Sequence, residues 1–264
     1  MSDSSAARTF TTAELMTVTM AHQLRDNEIV ATGLYSPMPL AACLLAKRTH
    51  APDLVHLNAG DAVDPDPEAL PFSTADPALA EGAVAIMDLC FAFDMAQKGR
   101  IDMIFLGAAQ IDKYGNTNLS VIGDFDRPKV RLPGGAASAH MCATANRITT
   151  WTTRHNRRTL VDKVDFITGQ GFLDGPGGRE RAGLTGGGPA CVVTNLAVLD
   201  FHPLTKRMRL VSVHPGITVE QVRDNTGFEL MTPEQVPTTP PPTAEELRIM
   251  RAADPHGVKE TEFH

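Results

Sequence analysis

Short apolar runs alternate with segments of helical spacing along most of this chain, and that alternation restricts the fold more than any other feature. A strand buried on both faces reads as a near-continuous apolar run, whereas a helix lying on a sheet keeps one apolar stripe. Residues 28–32, 54–57, 83–87 and 101–106 read as strands of that kind. Between them, Leu15, Val18, Met20, Ala21 and Leu24 recur at helical intervals behind Thr11 and Thr12, with Glu14 in the first turn. That helix is expected to end near Asp26 and Asn27. Residues 37–47 open on prolines, which a helix accepts in its first turn, and 89–97 reads as a further helix. Later strands are expected at 148–151, 164–168, 190–195 and 208–213, with a short helix at 218–225. A Pro-rich extended link at 237–242 leads to a final helix at 243–253, and the Asp/Pro-rich stretch 61–77 reads as an irregular excursion. The order predicts an α/β fold: an open, mostly parallel sheet flanked by helices on both faces, in three α/β/α layers. No internal repeat or compositional break divides the chain, so residues 1–264 read as one domain.

The totals exclude several classes of partner. The net charge of -7 makes the chain as a whole a poor electrostatic match for nucleic acid or anionic lipid. A local basic surface would still suit a phosphorylated ligand. No run of 18 apolar residues suggests a membrane span. Residues 1–12 are polar and lack the apolar core of a signal peptide, so a cytoplasmic protein is expected. The four cysteines, Cys43, Cys90, Cys142 and Cys191, match no zinc spacing and read as reduced structural thiols. The histidines His56, His140, His155, His202 and His214 are scattered, and no metal site is assigned. No Gly-x-Ser-x-Gly elbow is present, which argues against a serine hydrolase.

In open α/β sheets, ligands bind beyond the carboxyl ends of the strands. Three segments fall at such places. The first is Asn58-Ala59-Gly60, closing the strand at 54–57. The second runs from Gly107 to Asn118 and includes Gln110, Asn116 and Asn118, whose amides could meet substrate oxygens. It reads equally as a tight turn, with Asp112, Gly115 and Asn116 making local backbone bonds. The third contains Gly134-Gly135-Ala136-Ala137, whose small residues would let a carbonyl approach the main chain. A Gly/Ala-rich turn before a helix also has a purely structural reading. A fourth segment, Asp174-Gly175-Pro176-Gly177-Gly178-Arg179-Glu180-Arg181, resembles a phosphate cradle but lacks the Gly-Lys-Ser/Thr of a P-loop. Arg179 and Arg181 there either hold an anion or pair with acidic neighbours.

Taken together, these stretches resemble the β subunit of class I coenzyme A-transferases, and the glutaconate coenzyme A-transferase branch in particular. The likeness runs from about Thr12 to His256. It is carried by Ala51-Pro52-Asp53, by 107–118, by 128–135, by 174–184, by Thr205-Lys206-Arg207-Met208 and by Asn225-Thr226-Gly227-Phe228. The resemblance implies a homologous α subunit, an α2β2 assembly and an active site at the interface between the subunits. It also implies an acyl-coenzyme A substrate, with coenzyme A as part of that substrate and no other cofactor bound. In the transferases a β-chain glutamate attacks the thioester, and the Gly-rich loop holds its oxygen. By this resemblance Asn58, Gly134 and Gly135 are the catalytic candidates. Ala59, Gly60, Gln110, Asn116, Asn118 and Ala136 are the substrate-binding candidates.

The chain departs from the pattern at two points: Ala136 and Ala137 stand where the family more often has glycine, and Asn58 stands where the family has the glutamate. An amide cannot form the acyl anhydride that a carboxylate forms with a thioester. Similar replacements are implied in two related enzymes, a steroid ring-cleaving hydrolase and a 3-methylglutaconyl-coenzyme A decarboxylase. Three functions are therefore open. The chain belongs to an enzyme repurposed for C–C bond hydrolysis or decarboxylation of a dicarboxylic or β-keto acyl thioester. Alternatively it belongs to a genuine transferase whose glutamate comes from the α subunit, or it is a non-catalytic stabilising subunit.

Overall fold

The computed structural model describes residues 10–59 and 61–263. The chain opens with helix α1 (Thr12–Ala21), capped by Thr11, whose hydroxyl accepts from the Glu14 N–H while the Glu14 carboxylate accepts from the Thr11 N–H. Strand β1 (Ile29–Thr32), helix α2 (Pro37–Lys47) and strand β2 (Val55–Asn58) follow. Two short strands, β3 (Ala62–Val63) and β4 (Ala85–Ile86), bracket the irregular excursion, and helix α3 (Leu89–Gln97) leads into β5 (Met103–Gly107). After β5 the chain leaves the main sheet through β6 (Gln110–Asp112), β7 (Thr117–Asn118), β8 (Val121–Gly123) and β9 (Pro128–Arg131). Helix α4 (Ser138–Thr144), β10 (Arg147–Thr152), β11 (Leu160–Val161) and helix α5 (Gly178–Arg181) come next. The remainder is β12 (Pro189–Thr194), β13 (Ala197–Phe201), β14 (Met208–Val213), α6 (Val219–Asp224) and α7 (Ala244–Ala253), ending in a 3-10 turn at Val258–Phe263.

Nine strands form one sheet in the order β14-β13-β12-β10-β5-β1-β2-β3-β4. The central five, β12-β10-β5-β1-β2, are parallel, and antiparallel hairpins extend both ends. The α/β expectation therefore holds at the centre, where crossovers need helices, and gives way to hairpins at the margins. Side-chain alternation along the strands divides the core. Val30, Met103, Phe105, Trp151 and Val193 pack under α1, α2 and α7. Leu57, Ile104, Leu106 and Ile148 pack under α3 and α4.

Some expectations shift. The first helix stops at Ala21, because the N–H groups of Gln23 and Leu24 turn to the third carbonyl back, those of Met20 and Ala21. Leu24 keeps its helical period in the sequence yet is buried from a turn. Residues 164–168 form no strand. Their polar groups are taken by the loop after β5, through Asp165 N–H to Gln110 Oε1 and Thr168 N–H to the Thr117 carbonyl.

Candidate active site

The carboxyl ends of β1, β2, β5, β10 and β12 all lie on one edge of the parallel sheet. Asn58 ends β2 on that edge and is buried. Its register partner across the parallel pair is Thr32 of β1. Two residues earlier, on the same face, His56 is fully buried with its Nε2 2.9 Å from the Thr32 hydroxyl. Burial pushes the His56 pKa down to about 4, so the ring is neutral near pH 7. The Asp64 carboxylate is already engaged, accepting from the His56 N–H at 2.7 Å and from Lys47 Nζ at 2.8 Å. Ala59 is half-buried beside Asn58, and the sequence holds no glutamate from Ala51 to Pro67. Gly60, the third member of the motif, lies outside the described residues.

The Gly-rich loop approaches the same edge from the opposite face. Ala137, at its end, packs in the apolar cluster that contains Leu57 of β2 and Leu106 of β5. The loop is anchored by Gly134 N–H to the Leu119 carbonyl at 2.8 Å and by Ser138 N–H to the Gly135 carbonyl at 2.6 Å. Among the described residues, the N–H groups of Gly135, Ala136 and Ala137 make no hydrogen bond. A side chain at Gly135 would collide with Cγ2 of Thr168, so only glycine fits without moving the loop. Ala136 holds a left-handed φ of 42°, an unusual state for a residue with a Cβ and the kind of backbone cost found at functional turns. Gly134 to Ala137 thus form a small-residue turn with three adjacent donors at the strand ends.

The amide-rich segment is arranged differently. Asn118 Nδ2 donates to Gln110 Oε1 at 2.7 Å and to the Val121 carbonyl at 2.6 Å, and its Oδ1 accepts from the N–H groups of Ser120 and Val121. Asn116 Nδ2 donates to the Asp112 carboxylate at 2.9 Å and to the Leu173 carbonyl, while its Oδ1 accepts from Gly171 and Leu173 N–H. Gln110 Nε2 donates to Asp165 Oδ2 at 3.2 Å. All three amides are buried, and their hydrogen bonds brace the turn that the sequence offered as their second reading. Burial pushes the Asp112 carboxyl up, against the pull of the amide and N–H groups around it.

The fourth segment also turns inward. Arg179 is buried and donates to the carbonyls of Gly186, Gln170, Gly171 and Cys142 at 2.9–3.1 Å. Arg181 pairs with Asp174 at 2.7 Å. Arg179 thus ties α5 to the 170–171 backbone, while Arg181 stays at the surface in its pair with Asp174. Cys43, Cys142 and Cys191 are buried free thiols, whereas Cys90 is exposed. No cluster among the described residues has the ligands for a metal ion, and no described helix is long and apolar enough to cross a membrane.

One group near this edge gave no sign in the sequence. Glu262, in the terminal 3-10 turn, accepts from Met38 N–H at 2.9 Å and from Trp151 Nε1 at 2.6 Å. Burial pushes its pKa up to about 7. No pattern in the tail distinguishes it from its neighbours Glu260 and Thr261, because its partners lie far away in the chain.

Residues 13–225 match the family model described as "Coenzyme A transferase". The chain is 37% identical over 246 residues to a 3-oxoadipate CoA-transferase subunit of Pseudomonas knackmussii, covering 93% of this chain and 94% of that one. It superposes on glutaconate coenzyme A-transferase from Acidaminococcus fermentans with a TM-score of 0.86 at 30% identity, covering 97% and 98% of the two chains. It superposes on the decarboxylase AibA/AibB with a TM-score of 0.84 at 30% identity, covering 95% and 98%. Transferase and decarboxylase are thus matched almost equally well in backbone.

Proposed function

The chain belongs to the coenzyme A-transferase family, and from that premise we propose that it is the β subunit of a heteromeric enzyme that generates an enolate on an acyl-coenzyme A thioester. The observation that carries the reading is an amide, Asn58, buried at the carboxyl end of β2. It lies on the sheet edge that also holds the free N–H groups of residues 135–137. At position 58 that strand end offers an amide donor in place of an attacking carboxylate.

Two reactions need that equipment. In decarboxylation of a dicarboxylic acyl thioester, the carboxylate carbon leaves as carbon dioxide. Where that carboxyl group is bonded to the α carbon, or is joined to the thioester through a carbon–carbon double bond, the bonding pair moves onto the thioester oxygen as an enolate or dienolate, which then takes a proton at carbon. In hydrolysis of a β-keto acyl thioester, water adds to the keto carbonyl and the bond between the α and β carbons breaks. The electron pair again falls on the thioester enolate, and the other fragment leaves as a carboxylic acid. Asn58 and the free N–H groups of Gly135 to Ala137, in the loop that Gly134 anchors, would donate to the developing oxyanion, each such donor contributing on the order of 100-fold in rate. The general base belongs to a homologous α subunit, in an α2β2 assembly acting in the cytoplasm. Ala59 and Gly60 would border the acyl group. Gln110, Asn116 and Asn118 shape the pocket wall without touching substrate.

The 37% identity to a 3-oxoadipate CoA-transferase subunit supports a second reading, transfer of coenzyme A with a glutamate supplied by the α subunit. The two separate on products. The chain, purified with its partner, would be given glutaconyl-, glutaryl- and cyclic β-keto acyl-coenzyme A together with acetate. Carbon dioxide or a ring-opened acid formed without acceptor supports the first reading. Acetyl-coenzyme A formed in step with free acid overturns it.

A further inference from the structure

Asn58 has two polar neighbours on its own face of the sheet, Thr32 and His56. Val30 and Leu57 identify that face. Val30 packs under α1, α2 and α7, whereas Leu57 packs on the other side, under α3 and α4. Side chains alternate along a strand, so Thr32, two residues after Val30, points to the first side. His56 and Asn58, which flank Leu57, point there too. Thr32 and Asn58 are the last residues of β1 and β2 and are register partners, one strand spacing or about 5 Å apart. The turn after Thr32 is held in place by buried Thr74, whose hydroxyl donates to the Gly33 carbonyl.

The proton of the Thr32 hydroxyl has a direction. Its oxygen lies 2.9 Å from His56 Nε2, and the hydroxyl makes no other hydrogen bond among the described residues. His56 Nδ1 is buried and has no partner among them. The ring is neutral near pH 7, so one nitrogen carries a proton and the other does not. A proton on Nδ1 would bury an N–H with no acceptor, a rare and costly arrangement. The proton therefore sits on Nε2, which donates to Thr32 Oγ1. With its oxygen engaged as an acceptor, the hydroxyl keeps its own hydrogen for a group at the strand ends, where Asn58 also stands.

We propose that the Thr32 hydroxyl is a second side-chain donor to the enolate oxygen, a catalytic residue beside Asn58, and that His56 is the positioning residue that aims it. The assignment rests on the reading of the reaction as enolate formation. The test follows deuterium entry from deuterium oxide into glutaryl-coenzyme A on the intact heteromer, at saturating and limiting thioester. Thr32→Val keeps the shape and removes the donor. It is expected to lower the saturated exchange rate roughly 100-fold with the half-saturating concentration unchanged. Thr32→Ser should recover most of that loss. Because Thr32→Val strands the His56 N–H, the apolar pair Thr32→Val/His56→Leu serves as a second probe, expected to fold and to exchange as slowly. His56→Leu alone keeps the hydroxyl without its orientation and should lose about 10-fold. A wild-type rate there overturns the role of His56. A wild-type rate in Thr32→Val or in the apolar pair overturns the role of Thr32, and leaves the enolate reading standing if Asn58→Ala remains slow. Thr32→Ser as slow as Thr32→Val also overturns it, since packing and not the hydroxyl would then matter. A wild-type heteromer that exchanges no deuterium overturns the enolate reading and this assignment with it.

Discussion

Thr32 and Asn58 stand opposite one another in parallel register at the carboxyl ends of β1 and β2, and the Thr32 hydroxyl is held 2.9 Å from Nε2 of buried His56. The amide at position 58 is thus set on a braced strand pair rather than on a loose turn. Asn58→Ala is expected to lower kcat by roughly 100- to 1,000-fold, the usual cost of one oxyanion donor. KM should change little, because such a donor acts on the transition state more than on the bound thioester. Steady-state kinetics on the heteromer check this. A rise in KM alone would assign Asn58 to ground-state binding.

The Gly135 turn makes a sharper prediction, because the obstruction is a single methyl group. Gly135→Ala should displace the loop through the clash with Cγ2 of Thr168 and cut kcat by about 100-fold. Thr168→Ser removes that methyl. It keeps the hydroxyl that accepts from Leu119 N–H at 2.9 Å and meets the Ser120 hydroxyl at 2.7 Å. The double variant Gly135→Ala/Thr168→Ser should therefore recover much of the lost rate. Failure of that rescue, in a protein with an unaltered melting temperature, would remove the loop from the reaction.

For Asn116 the expected change is in stability. Asn116→Ala strips partners from the Asp112 carboxylate, the Leu173 carbonyl and the N–H groups of Gly171 and Leu173, all in or near the buried turn. The cost should be about 2–4 kcal/mol, with KM for the thioester unchanged in the surviving folded enzyme. Denaturant unfolding and kinetics on the same variant decide it. A large KM effect without loss of stability would return Asn116 to the substrate.

These residues also mark how far the sequence could be read. The parallel centre of the sheet was legible because β1, β2, β5, β10 and β12 are short apolar runs with helices between. Helices α2 and α3 match their expected bounds, 37–47 and 89–97, since prolines at one start and Asp88 at the other fix the first turn. The strand expected at 164–168 was lost to tertiary hydrogen bonds from Gln110 and Thr117, which no local pattern announces. Strand β13 and helix α4 were also passed over. The position of Asn58 at a strand end was readable. The inward turn of Gln110, Asn116, Asn118 and Arg179 was not, because an amide or guanidinium reads alike in sequence whether it meets a ligand or its own backbone. Glu262 was invisible, its partners Met38 and Trp151 being supplied by other elements.

Stability should pass through a maximum near pH 6.5 on the strength of three buried groups. Burial pushes His56 and His155 down to about 4 from an ordinary 6.5, His155 with a smaller push from His214, and it pushes Glu262 up to about 7 from 4.5. Between pH 4.5 and 6.5 the unfolded chain carries two protons on the histidines and none on the glutamate. The folded chain carries none on the histidines and one on Glu262. The unfolded state binds one proton more, so stability from these groups rises with pH by about 1.4 kcal/mol per unit. Above pH 6.5 only Glu262 still differs, and its contribution is lost as pH rises through about 7. Glu262→Gln should steepen the rise below pH 6.5 and abolish the fall above it. Melting temperatures of wild type and variant from pH 5 to 8 check this, and superimposable profiles would contradict it.

The central claim is that this subunit helps to stabilise a thioester enolate and carries no acyl nucleophile of its own. The most direct measurement incubates the heteromer in deuterium oxide with a non-reacting saturated acyl-coenzyme A, then analyses both the thioester and the intact subunits by mass spectrometry. Deuterium is expected at the carbon next to the thioester carbonyl, lost in Asn58→Ala, with the β chain at its unmodified mass. An acyl or coenzyme A adduct on either subunit, with no deuterium in the recovered thioester, would contradict it.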